Sequence, residues 1–127
     1  MIVTGEKMRR VSPERIEAVR KTVHFRKLAH MLVQMPDPVL EALQKRDGWI
    51  RGTLRRGDQF CLLGHLNAVF GCSCWWLRGC GYKPMVAEDG SPFPTASTIP
   101  HAFDALCGRF GTGVTVTAIK RFIAGLK

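Results

Sequence analysis

The chain has 127 residues, 46% of them apolar and 23% charged, and a formal net charge of +9. That length fits a single domain, 1–127, with a core of its own, and these fractions exclude a wholly disordered chain or a disulfide-dependent miniprotein. No apolar run reaches the roughly 18 residues of a membrane span, and MIVTGEKMRR lacks the apolar stretch of a signal peptide, so no membrane partner is expected.

Five cysteines, an odd number, without a signal peptide imply reduced thiols in a cytoplasm. Residues 1–11 read as a frayed lead-in. Ser12-Pro13-Glu14 is a helix start: a side-chain acceptor, a residue that needs no N–H, and an acid at the positive dipole end. Ile16, Val19 and Val23 follow at helical spacing, then Phe25, Leu28, Leu32 and Val33 on a rotated face. The pattern predicts one bent helix, or two joined near Thr22 to His24. Met35-Pro36 ends it.

Asp37-Pro38 opens a short helix carrying Val39, Leu40 and Leu43, with Lys45 and Arg46 at its negative end. Trp49 to Leu54 alternates like a strand. Arg56-Gly57-Asp58 is a turn, and Gln59 to Cys61 is expected to pair back as a small hairpin. From Cys61 the spacing becomes helical through Leu62, Leu63, Leu66, Val69 and Phe70, ending at Gly71. Residues 72–100 read as a long irregular loop with one extended piece at Trp75 to Leu77. Thr98 caps a helix carrying Ile99, Ala102, Phe103, Leu106 and Cys107. Gly108 and Gly111 break the pattern, and Thr115 is expected to cap a last helix with Ile119, Phe122, Ile123 and Leu126. The fold class that follows is mainly α, with four or five helices, a small β-hairpin and a long irregular loop.

Three groups of residues are candidates for chemistry. Cys72, Cys74 and Cys80 can supply thiolates to zinc, with His65, His101 or Cys107 as a fourth ligand, although the spacing lacks clean paired knuckles. The alternative is that these cysteines pack beside Trp75 and Trp76 in an apolar pocket, with no cofactor at all. Cys61 at a helix N-terminus has a thiol pKa expected to fall, and His65 follows four residues later, which makes a candidate nucleophile and base. GCSCWW looks superficially like the cysteine segment of papain-type proteases, but the spacing is off by one and too little chain follows. His24 and His30 do not share a helix face and read as boundary histidines. The glycines at 108–113 lack the Lys-Ser/Thr of a phosphate loop.

The basic residues form the third group. Arg9, Arg10, Arg20 and Lys21 recur along the first helical stretch, and Arg51, Arg55 and Arg56 lie on the hairpin. Together they suit a phosphate-contacting surface, with Trp75, Trp76 or Tyr82 available to stack on bases. The competing reading is a solvated helix face partly neutralised by Glu14 and Glu17.

Trp49, Gly52, Cys61 and Gly64, followed by Phe110, Thr115, Ile119 and Phe122, resemble the pattern of an uncharacterised family of small bacterial and phage domains. In that family a helix precedes Trp-x-x-Gly and a polar turn, and Cys-x-x-Gly opens the next helix. The resemblance covers roughly residues 37–126, with 72–100 unmatched, and it implies an arrangement of helices but no activity. His65 stands where a small residue is more usual. The leading expectation is a small basic accessory binding protein, phage or mobile-element derived, that contacts nucleic acid or a nucleoprotein and is not an enzyme. The alternatives are a protein–protein modulator using Trp75, Trp76 and Tyr82, and a thiol enzyme centred on Cys61.

Overall fold

A computed structural model describes residues 11–71, the strand residues 85–86 and 92–93, and residues 98–126. Helix α1 spans Pro13–Arg20. Ser12 precedes it in an extended conformation, and its hydroxyl accepts from the Arg15 amide at 3.3 Å. This cap is the one expected from Ser12-Pro13.

The first helical stretch resolves into two helices, because Thr22 acts at both sides of the break. Its hydroxyl donates to Val19 O at 2.8 Å and accepts from the Phe25 amide at 3.0 Å. One side chain therefore closes α1 and caps α2, Val23–Leu32. Thr22→Ala removes both bonds and is expected to lower stability by about 1–2 kcal/mol in urea unfolding.

Helix α3, Asp37–Lys45, starts where Pro36 and Pro38 require it and buries Leu40 and Leu43. The strand expected over Trp49 to Leu54 does not form. Gly52 turns the chain at φ 82°, and its amide donates to Asp104 Oδ1 at 3.0 Å. The hairpin is therefore short. Strand β1, Arg55–Arg56, pairs antiparallel with β2, Gln59–Phe60, around Gly57 and Asp58. Trp49 touches the same hairpin: Ile50 N–H donates to Phe60 O at 3.0 Å, and Phe60 N–H donates to Gly48 O at 2.9 Å. Helix α4, Leu62–Phe70, follows with Cys61 at its N-cap and Gly71 closing it in the left-handed region.

Within the expected long loop, β3, Met85–Val86, pairs antiparallel with β4, Pro92–Phe93. The extended piece expected at Trp75 to Leu77 lies outside the described residues, as does the 1–10 lead-in. Helix α5, Thr98–Phe110, begins inside the segment read as loop and runs through Gly108. Gly108 is no break here, because its missing side chain leaves room for Arg51: a Cβ would sit 2.8 Å from that guanidinium. Helix α6, Thr112–Gly125, begins three residues before its expected cap. Thr115 is buried inside it and its hydroxyl donates back to Gly111 O at 2.9 Å, so the residue satisfies itself within the helix.

The described residues thus hold six helices with small antiparallel hairpins, a mainly helical fold. Helix α2 packs along α5, α5 on α6, α1 against α6, and α3 on α4. Leu28, Leu32, Leu66, Phe103, Leu106 and Ile119 are fully enclosed at the centre. Each such side chain contributes about 1.5–3 kcal/mol of transfer free energy. No helix among the described residues is long and apolar enough to cross a membrane.

Candidate functional site

A chain of stacked rings runs from this core to the hairpin surface. Phe103 of α5 meets Trp49 at 6.0 Å between ring centroids, and Trp49 meets His65 at 4.0 Å. His65 meets Phe60 at 5.1 Å. Both the Arg46 and Arg55 guanidinium carbons lie over the Phe60 ring, 5.5 and 5.3 Å from its centroid.

The arrangement follows from how α3 ends. Arg46 leaves the helix in an extended conformation, exposing its carbonyl. That oxygen accepts from Trp49 Nε1 at 2.9 Å and from Lys120 Nζ at 2.8 Å, which meets the acceptor demand of a helix end. Lys120 also lies 3.9 Å from Asp47, but that carboxylate is 70% exposed and adds little. The Arg46 Nε–H donates to His65 Nδ1 at 2.8 Å. Since Nδ1 accepts, the ring proton sits on Nε2, which donates to Gly48 O at 2.9 Å. His65 is wholly enclosed. Burial, aided by Arg46 and Lys120 and opposed by the Gly48 carbonyl and Asp47, pulls its pKa down to about 4. Burial likewise lowers the Lys120 pKa, with Asp47 opposing.

On the hairpin, Arg55 Nε–H donates to Gly57 O at 2.9 Å, which fixes the guanidinium over Phe60. Arg51, Arg55 and Arg56 are all exposed. Among the described residues, no carboxylate pairs with Arg46, Arg51, Arg55 or Arg56. The structure thus brings Arg55 together with Arg46 and Phe60, which charge pattern alone did not single out, while the Arg51 guanidinium lies against Gly108 of α5. Arg46 reads in sequence as a helix-dipole partner; its spacing to Trp49, i to i+3, was the available clue. Arg20 lies over Phe122 instead, 5.7 Å from the ring centroid, and Lys21 follows at the C-cap of α1. No hydrogen bond, ion pair or ring contact among the described residues joins these two to the hairpin arginines. Arg15 is also used internally: its Nη2 donates to Phe110 O at 2.9 Å and closes the C-terminus of α5. Arg9, Arg10, Trp75, Trp76, Tyr82, Cys72, Cys74 and Cys80 lie outside the described residues.

The thiol pair expected at Cys61 and His65 is not assembled. Both His65 nitrogens are bonded elsewhere. Cys61 Sγ is buried and accepts from the Gly64 amide at 3.5 Å. Its pKa rises, contrary to expectation, because burial outweighs the amide donors of the helix N-terminus. Cys107 is pushed up to about 11 by burial, against the Thr112 and Thr115 hydroxyls. Among the described residues, no three His, Cys, Asp or Glu side chains come together as metal ligands. His24 was read as a boundary histidine; its ring sits edge-on to His101, centroids 6.1 Å apart. Its Nδ1 is buried without a hydrogen-bond partner, and burial, then Lys27, His101 and Arg109, lower its pKa.

Comparison with protein-family models, curated proteins and solved structures finds no match to the chain, and none supports the motif resemblance at Trp49, Gly52, Cys61 and Gly64.

Proposed function

We propose that the protein is a small basic binding module that contacts nucleic acid through its hairpin, without catalysis of its own. The observation that supports this reading is the convergence of Arg46 and Arg55 on Phe60, with Arg51 and Arg56 exposed on the same segment and none of the four paired with a carboxylate among the described residues. A chain of net charge +9 attracts polyanions at long range, and unpaired guanidinium groups take phosphate oxygens at contact. The buried, protonated thiols of Cys61 and Cys107 favour binding over thiol chemistry, and their free state suits a cytoplasmic setting. We propose further that the module is an accessory protein derived from a phage or mobile element.

Fluorescence anisotropy with labelled oligonucleotides tests the reading. Binding is expected to weaken steeply between about 50 and 200 mM salt. Replacing Arg55 and Arg56 together by Ala is expected to weaken it about tenfold or more and to reduce the salt slope. No binding at the low-salt end overturns the proposal.

A further inference from the structure

We infer that Arg55 is a stacking platform for an unpaired base, so that the hairpin selects single-stranded over duplex nucleic acid. The inference rests on the nucleic-acid reading and narrows its ligand.

Arg55 differs from its neighbours in how its guanidinium is used. The Nε–H edge is committed to Gly57 O, while one face lies over Phe60. A guanidinium grips phosphate best through its donor edge and stacks through its face. Part of the edge is already occupied, and the residue is exposed. Arg56 and Arg51, both exposed and with no edge committed to the hairpin backbone, are the natural phosphate contacts. Phe60 is itself held by His65, Trp49 and Phe103 in turn, so the platform is anchored in the core and little side-chain freedom is lost on binding. Leu54, an exposed apolar side chain next in sequence, offers a surface for a sugar. In a duplex each base face is covered by its neighbours, whereas an unpaired base presents its face to a cationic or aromatic plane.

The deciding experiment is Arg55→Lys, which keeps the charge and removes the planar face. Affinity is measured by anisotropy on thymidine and uridine oligomers of about twelve nucleotides, on an abasic strand of equal length, and on a duplex. The substituted position is exposed, and a thermal melt confirms an unchanged fold. Arg55→Lys is expected to lose about tenfold on a base-bearing single strand, with the salt slope unchanged and no loss on the abasic strand or the duplex. Which of the two oligomers shows the loss tells a DNA strand from an RNA strand. Equal affinity of variant and wild type on both oligomers, or an equal loss on the abasic strand or duplex, overturns the inference while leaving the binding module intact. Absence of binding by the wild type to every ligand overturns both.

Discussion

Lowering the pH from about 7 to about 4 is expected to remove about 3 kcal/mol of folding stability through His65 alone. The native pKa is about 4 against 6.5 for the free side chain. The unfolded chain therefore takes up the proton first, and between those values it binds more protons than the native state. Stability is complete above 6.5 and falls as the pH drops through that window. His24 acts in the same direction, since burial lowers its pKa too. A His65→Leu variant separates the two. At neutral pH it leaves the Arg46 Nε–H and the Gly48 carbonyl without their ring partners, and is expected to be less stable by about 2–4 kcal/mol. It has no imidazole at 65 to titrate, so its stability falls less on acidification and the gap to wild type narrows. Urea unfolding at a series of pH values reads both effects. Curves for variant and wild type that run parallel would exclude His65 as the source.

Much of the helical framework is legible because its punctuation is local. Ser12 before Pro13, Met35 before Pro36, and Cys61 with Gly71 around an apolar run are decided by capping and by proline sterics within a few residues. The turn at Gly57 and Asp58 is legible for the same reason. Gly108 and Thr115 misled because their roles depend on distant or competing partners. Gly108 reads as a helix breaker, yet it stays helical where Arg51 lies against it. Thr115 reads as a cap, yet its hydroxyl finds its acceptor in Gly111, the N-cap of α6 one turn back.

The candidate site divides along the same line. Arg51, Arg55 and Arg56 stand out by charge and by proximity to a turn. The stack beneath them does not, because it exists only when the chain after α3 lies against β2 and the start of α4. His65 illustrates the difficulty. Its spacing from Cys61 suggested a pair within one helix, but stronger partners arrive from Arg46 and Gly48, 19 and 17 residues away along the chain. Once that register forms, one histidine links the core, the end of α3 and the surface arginines. Acid stability and ligand binding are therefore expected to be coupled at this residue.

Gly64→Ala is expected to cost about 3 kcal/mol, a fall in midpoint of roughly 10 °C in a thermal melt. Gly64 lies in the first turn of α4, where alanine ordinarily gains up to about 1 kcal/mol over glycine. Here packing opposes that gain. A Cβ would run into the Leu54 carbonyl oxygen and sit 3.1 Å from Phe60 Cβ. The first obstacle is backbone, which cannot rotate aside, and it is the carbonyl that accepts the Cys61 amide at 3.2 Å. The hairpin has to shift, and Phe60 with it, so the Arg55 platform moves as well. The variant is thus expected to lose affinity for single strands even below its melting transition. Gly113→Ala is the control: it lies in α6 with open space around its Cβ, and is expected to be neutral or stabilising by about 0.5 kcal/mol. Equal melting points for the two variants would mean that α4 does not approach the hairpin as closely as Gly64 requires.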